Sequence, residues 1–295
     1  MFVQFLEGNW DGVRDNALQA SAQFRAHGDM YCVGSSYCLL LLNYQARGAL
    51  GAARKSAQEG LEILERVGAL AVSTPISMKN GMVLVDLGDD EAGLGKVHDA
   101  YQAAERIGDS LQRAWVRLFL GHSYFARHEL DTAIKYLEEC VAVRKQFRLG
   151  PDFLSNRADS LLARAYIDVA RQTSDAAKKQ ELLRRARRHA SEGMRLMKVR
   201  STYRATALLA LAEFRWEDGR VSEARALFDQ SIAFADRQGS QMMLADAHYE
   251  LGRRLANAGE ARQHLQKALD LYDGCDAVPY VQRARRTLAC VRSED

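Results

Sequence analysis

The sequence predicts an all-α fold, and three observations support this prediction. Apolar residues recur at helical spacing, and no stretch shows the alternation of a half-buried strand. Prolines occur only three times, between long helical patterns, and Ser73-Thr74-Pro75 predicts the start of a helix. Glycines, which can adopt the positive φ of a helix C-terminal cap, follow charged helical runs at Gly28, Gly68, Gly108 and Gly239.

Length and composition restrict the class of protein. The chain has 295 residues, 47% hydrophobic and 27% charged, which is enough to bury a core. Its net charge of +3 is too small to predict nucleic acid as a partner. A basic run in which Arg184, Arg187 and Arg188 share a helix face is more typical of a solvated surface, because no aromatic residues accompany it to stack on bases.

Cysteine usage and hydropathy predict the compartment. The five cysteines form no CxxC pair, as is typical of free thiols in a reducing environment. No run approaches the ~18 apolar residues of a membrane span, and the N-terminus lacks the basic and apolar segments of a secretion signal. We therefore expect a cytoplasmic protein without a membrane partner.

One position of the pattern recurs at intervals of 40 residues. It is occupied by Val13, Ala53, Gly93 and Ala133. The same phase continues at Ala186, Ala224 and Ala261. Such spacing predicts a tandem array of similar structural units.

The stretch 114–150 shows one unit most clearly. Its first helix carries Leu120-Gly121-x-x-Tyr124, and its second carries Ala133 and Leu137 after a short break. A small residue therefore lies where the two helices must touch. This arrangement resembles the tetratricopeptide repeat.

The resemblance implies a right-handed superhelical solenoid of about seven helix-turn-helix repeats in a single domain, residues 1–295. The repeats are expected at approximately 1–28, 29–68, 69–108, 109–150, 151–201, 202–239 and 240–274. A C-terminal capping helix is expected at 277–292, with one apolar stripe. Its solvent-facing residues are predicted to be Arg283, Arg285, Arg286 and Arg292.

The repeats are longer than the ~34 residues of the commonest tetratricopeptide unit. They resemble the long-helix variety found behind the nucleotide-binding part of bacterial signalling ATPases and maltose-activator-type transcriptional regulators. That resemblance implies a regulatory sensor or docking segment of a larger bacterial regulator.

In this architecture the first helices line a concave groove. Counting in register predicts these groove residues: Leu42, Met78, Met82, Trp115, Leu118, His122, Phe125, Arg157, Arg164, Glu213, Trp216, Tyr249 and Arg253. The groove is expected to be apolar in its first half and charged in its second. Apolar anchors beside arginines suit a peptide that carries a carboxylate.

Two functions follow from this groove. In the first, the chain is a docking or regulatory module that binds a peptide or protein segment. In the alternative, it senses a small molecule held near Trp115, His122 and Phe125, which stabilises one curvature of the superhelix. An open trough would favour docking, and a discrete pocket walled by several repeats would favour sensing.

Catalysis is not expected, and neither is a cofactor or a metal. The seven histidines show neither the i, i+4 pair of a zinc helix nor a nearby pair of cysteines. The segment 90–97 lacks the first glycine of a phosphate loop and the Ser or Thr after its lysine.

The N-terminal end is expected to lack cover. A short helix before Gly8 would leave four apolar side chains exposed: Phe2, Val3, Phe5 and Leu6. Because solenoids need polar caps, this pattern predicts either a longer protein or a homo-oligomer that pairs through this end.

Overall fold

The computed structural model describes residues 2–149, 154–197 and 201–291. These residues form fifteen α-helices and no strand, which confirms the all-α solenoid. The helices are α1 (Phe2–Glu7), α2 (Trp10–Ala26), α3 (Met30–Arg47), α4 (Leu50–Arg66), α5 (Leu70–Asp86), α6 (Asp90–Ile107), α7 (Ser110–Ala126), α8 (Leu130–Gln146), α9 (Arg157–Gln172), α10 (Ala176–Leu196), α11 (Arg204–Glu217), α12 (Val221–Arg237), α13 (Gln241–Gly252), α14 (Ala258–Asp273) and α15 (Val278–Cys290). No described helix is both long enough and apolar enough to cross a membrane.

Helices pack in consecutive pairs, and the recurring small residues lie where the two members touch. In the pair α5 and α6, a Cβ atom on Gly81 would come 2.6 Å from the carbonyl oxygen of Gly93. In the pair α7 and α8, a Cβ atom on Gly121 would come 2.5 Å from Cγ of Leu137. These approaches are closer than real Cβ contacts, so the pairs need glycine at these positions.

The turns are as regular as the helices. Positive φ angles occur at Gly8, Gly28, Gly48, Gly68, Gly88 and Gly108, one every 20 residues, and the predicted caps are therefore confirmed. The series continues without glycine at His128 (φ 64°) and Arg148 (φ 47°). From Gly8 to Arg148, each hairpin thus consists of two segments of equal length.

Pro75 does not begin a helix, contrary to the sequence prediction. It lies inside α5, which begins at Leu70. A proline cannot donate to the carbonyl four residues earlier, and here the Ala71 carbonyl instead accepts a hydrogen bond from Gln112 Nε2 at 3.1 Å. A side chain from α7 therefore replaces the missing bond.

The two ends of the solenoid meet. Tyr280 of α15 donates from its hydroxyl to Oδ1 of Asp86 on α5, at 2.8 Å. At the turn after α3, a Cβ atom on Gly48 would come 2.7 Å from Sγ of Cys275. The turn after α5 is also close to the beginning of α15, because Gly88 lies against Val278.

The N-terminal helix is covered by the second half of the chain. Phe5 is 3% exposed and packs edge-on to Trp10 and beside Tyr203. Thr202 Oγ1 donates to the Phe5 carbonyl at 2.6 Å. The expectation that Phe5 lacks cover is therefore wrong, and Phe5 gives no reason to expect pairing through this end. The side chains of Phe2, Val3 and Leu6 lie outside the described residues.

Candidate ligand-binding interior

Because the ends meet, the concave surface encloses an interior instead of forming an open trough. Nine of the predicted groove residues are buried in it or in its walls: Leu42, Met78, Met82, Leu118, Phe125, Arg157, Arg164, Glu213 and Tyr249. Four remain partly exposed: Trp115, His122, Trp216 and Arg253.

Apolar side chains predominate in the first half of the interior. Leu42, Met78, Met82 and Leu118 belong to one packed cluster, which also contains Leu244 from the other end of the chain. Trp115 packs against this cluster, with Nζ of Lys79 5.0 Å from its ring centroid. Trp216 is not brought to this group, because it packs in a separate cluster against Phe228.

The second half contains a buried network of ion pairs around Arg164. Its guanidinium donates to Glu213 at 2.8 Å, to Glu250 at 3.3 Å and to Asp246 at 3.4 Å. Arg164 is 3% exposed and Glu213 is fully buried. The sequence suggested that Arg164 binds the carboxylate of a peptide. Three carboxylates of the chain already surround it, so it is not free for that role.

Two further arginines complete this network. Arg254 donates to Glu213 at 3.2 Å and also pairs with Glu250, while Arg253 donates to Asp168 at 2.8 Å. Burial raises the pKa of Glu213, and the adjacent Glu250 raises it further. Sequence reasoning missed Arg254, although its i, i+4 spacing from Glu250 is a recognisable signal for an ion pair.

Asp86 joins three helices of the interior. Its Oδ1 accepts from Tyr280 on α15 and lies 3.0 Å from Nε2 of His122 on α7. The sequence predicted His122 in the groove but neither Asp86 nor Tyr280. Asp86 is 2% exposed, so contacts with these partners offset part of the cost of its burial.

Two adjoining spaces lie within the interior. We call the first the inner cavity: it has a volume of about 60 Å³, and its lining includes His122, Phe125, Arg157, Arg164 and Arg283. We call the second the mouth pocket: it has a volume of about 470 Å³, and its lining includes Ala126, Arg127, Tyr249, Arg253, Gln282 and Arg283. Arg283 lines both spaces.

Arg283 contradicts the prediction that it faces solvent. Its guanidinium lies 4.6 Å from the ring centroid of Tyr249 and 5.1 Å from that of Tyr280. Both α14 and α5 pack against α15, so a face that would be solvated on a terminal cap is turned inward. Arg285 and Arg286 are exposed as predicted, and Arg292 lies outside the described residues.

A third space lies outside the solenoid. It has a volume of about 530 Å³ and is bounded mainly by the beginning of α8 and the end of α9. Only neighbouring repeats form it, so it does not depend on the meeting of the ends. Among the described residues, no group of three His, Cys, Asp or Glu side chains is arranged to hold a metal ion.

Paired helices, small residues at their contacts and a curved array of seven hairpins define a tetratricopeptide-type solenoid. The family model of the tetratricopeptide repeat matches residues 113–146, which cover most of α7 and all of α8. The matched hairpin is a tetratricopeptide-type repeat, as the Leu120-Gly121-x-x-Tyr124 pattern predicted, and the chain around it has the fold of tetratricopeptide solenoids. A search of curated proteins finds no significant match.

Solved structures show the same fold over most of the chain. A Rap protein in complex with Competence and Sporulation Factor matches with a TM-score of 0.58 and 16% identity, over 98% of this chain and 76% of that one. A chain of the APC/C hetero-tetramer Cut9-Hcn1 matches with a TM-score of 0.59 and 14% identity, over 93% and 46%. TTC0263, a tetratricopeptide repeat protein of Thermus thermophilus, matches with a TM-score of 0.50 and 19% identity, over 73% and 99%.

Proposed function

We propose that the protein is a non-enzymatic regulatory binding protein that holds a ligand in the mouth pocket. The observation that carries this proposal is the origin of the pocket walls: α5 and α7 come from the first half of the chain, and α13 and α15 from the second. A volume of about 470 Å³ is within the usual range of small-ligand sites.

Such a pocket couples binding to shape. In a solenoid each repeat contacts mainly its neighbours, so curvature changes at small local cost. A ligand that touches both ends binds the closed form better than an open one and shifts the population towards it. The change in curvature is then the signal that other parts of a regulator detect.

A discrete pocket walled by helices from both halves of the chain favours sensing of a small molecule or a short peptide over docking of a long segment. The Rap structure supports binding in general, since a chain of similar fold was solved with Competence and Sporulation Factor. Docking of a protein segment along the groove is the second candidate and requires the ends to separate. The long-helix resemblance supports a role within a larger cytoplasmic regulator of bacterial signalling or transcription.

Native mass spectrometry of the protein purified from a lysate of its host tests this proposal. Gln282 is exposed and lines the mouth pocket, so Gln282→Trp fills the pocket without disturbing the core. Gln263 is an exposed residue of α14 outside the pocket, so Gln263→Trp is the matched control. We expect a bound small molecule or peptide in the wild type and the control but not in Gln282→Trp. Equal retention by all three would place binding elsewhere.

A further inference from the structure

We infer that the inner cavity binds a carboxylate group of the ligand between Arg157 and Arg283. This inference rests on the proposed function, because the rest of the ligand would occupy the adjoining mouth pocket. The argument depends on two interior arginines that lack an acidic partner, on the charge of the cavity and on its size.

Arg157 is the first of these arginines. It is 7% exposed and lines the inner cavity at the beginning of α9. Its guanidinium stacks 4.3 Å from the ring centroid of Tyr203, yet Nε and Nη1 have no hydrogen-bond partner among the described residues. A guanidinium keeps its charge inside a protein, and buried charged donors without acceptors are costly.

Arg283 is the second. It lies between Tyr249 and Tyr280, and its buried Nε also lacks a partner among the described residues. None of the ion pairs of the described residues involves its guanidinium. Arg283 lines both the inner cavity and the mouth pocket, so a ligand in the mouth pocket lies next to the residue that also borders the inner cavity.

The acidic residues of the cavity are already engaged with other groups. Asp86 accepts from Tyr280 and His122, and Asp246 accepts from Tyr272 at 2.5 Å and from Arg164 at 3.4 Å. The carboxylates of Asp86 and Asp246 therefore already have hydrogen-bond partners within the protein. Asp246 and Glu250 also act on Arg283 through space and raise its pKa, but neither forms an ion pair with it among the described residues. Arg157 and Arg283 therefore keep guanidinium donors that an anion from outside can use.

The charge of the lining favours a single negative charge. Three arginines, Arg157, Arg164 and Arg283, line the inner cavity together with two aspartates, Asp86 and Asp246. Arg164 is further neutralised by glutamates outside the lining, so the excess does not exceed one positive charge. A carboxylate carries one negative charge and accepts hydrogen bonds from guanidinium groups in a planar arrangement. A phosphate dianion would add a negative charge that the lining does not balance.

The volume of the inner cavity also favours a carboxylate group. A volume of about 60 Å³ is several times the ~10–15 Å³ that one water molecule needs. It therefore accommodates a carboxylate group but not the body of a peptide or metabolite. Phe125, Met242 and Met243 also line this space and limit its hydration, which strengthens hydrogen bonds to a charged group.

Butyrate and butyramide test the inference, because they have similar shapes and differ in charge. Titration of the full chain, followed by NMR chemical shifts, should show saturable binding of butyrate and at least roughly tenfold weaker binding of butyramide and of inorganic phosphate. Equal binding of butyrate and butyramide, stronger binding of phosphate, or no saturable binding of butyrate would overturn the inference.

Substitution at Arg157 locates the binding. Arg157→Met keeps much of the length of the side chain and removes its charge, so it should weaken butyrate binding about tenfold. Arg157→Lys keeps the charge and should recover part of the affinity. The control is Arg185→Met, since Arg185 also stacks on a tyrosine, 4.5 Å from the Tyr166 ring, but lines neither space. Unchanged binding in Arg157→Met, or an equal loss in the control, would contradict the assignment. If Arg157→Met does not fold, the butyrate affinity of Arg157→Lys is compared with that of the wild type. A lower affinity supports the site, and an unchanged affinity contradicts it.

The two proposals fail in different ways. A natural ligand that Gln282→Trp displaces, but that Arg157→Met binds with unchanged affinity, would retain the proposed function and overturn the carboxylate site. The opposite result is also possible: butyrate binding depends on Arg157, but Gln282→Trp does not change binding of the natural ligand. This result would retain the carboxylate site and overturn the proposed function.

Discussion

The two halves of the interior are held together by different chemistry. In the first half, Met78, Met82 and Leu118 contribute apolar packing, and the contact of Asp86 with His122 lies at its edge. In the second half, Arg164 is surrounded by Glu213, Glu250 and Asp246. Apolar packing tolerates many shapes of similar volume, whereas a buried ion network is satisfied in only one arrangement of its helices. The charged half should therefore fix the angles between repeats, and the apolar half should supply most of the burial.

The largest effect is expected from Arg164→Met. This substitution leaves buried carboxylates without their partner, and it should lower the free energy of unfolding by about 3–5 kcal/mol. Arg164→Lys should also be strongly destabilising, because one ammonium cannot reproduce three directional contacts. Guanidinium denaturation measures both. The exposed pair of Arg184 and Glu181 provides the control Arg184→Met, for which we expect no measurable change. A mild effect of both Arg164 variants would mean that the network does not hold the repeats.

The apolar half should respond to volume alone. Met82 is 1% exposed. Met82→Ala should therefore cost about 2–4 kcal/mol through lost burial and a cavity, while Met82→Leu should cost less than about 1.5 kcal/mol. Denaturation in the same series compares the halves directly. If Met82→Leu is as damaging as Arg164→Lys, the contrast between the halves is wrong.

Two glycine substitutions distinguish the energy of the contact between the ends from the energy of the turn conformation. Gly28 and Gly48 both have positive φ, but only at Gly48 would a Cβ atom meet another repeat, at Sγ of Cys275. Gly28→Ala should cost about 1 kcal/mol, the cost of the backbone conformation. Gly48→Ala should cost about 2–3 kcal/mol, because the clash is added. Equal losses on thermal unfolding would show that the ends do not touch in solution.

The smallest effect is expected from acidification at His248. Burial, together with the nearby His264 and Lys267, lowers the pKa of His248 from 6.5 to about 4, against the weaker opposite effect of Asp236. Since the folded chain holds this imidazole neutral, the unfolded chain gains a proton first as the pH falls. The contribution to stability is complete above pH 6.5 and is lost between about pH 6.5 and 4.

Tm measured from pH 7.5 to 4.5 checks this sign. We expect His248→Gln to reduce the loss of Tm on acidification, and His27→Gln, at an exposed residue, to leave it unchanged. A steeper loss in His248→Gln would contradict the direction of the shift.

The repeats could be predicted from the sequence because their determinants are local. Ala53 and Ala133 recur in phase and are fully buried, and a residue with positive φ follows each of them 15 positions later, Gly68 and Arg148. Helix spacing and cap chemistry act within one hairpin, so one sequence suffices to recognise them.

The site was predicted only in part because it depends on the sum of all repeats. Counting in register brought His122, Phe125 and Arg157 to the interior, but it placed Arg283 in solvent and overlooked Asp86. Whether α15 reaches α5 follows from small rotations accumulated over seven hairpins. No local pattern encodes that sum, and the acidic partners of Arg164 come from residues 49 to 86 positions away.

A double-mutant cycle across the meeting point tests the central claim most directly. Asp86→Ala, Tyr280→Phe and the double variant are compared with the wild type by their free energies of unfolding, because each single substitution removes the hydrogen bond between the two side chains. If α15 packs against α5 around the interior in solution, we predict a coupling energy of about 1.5–3 kcal/mol, the range for a hydrogen bond to a charged group. A coupling energy of zero would contradict the account, because it would show that the two ends do not meet.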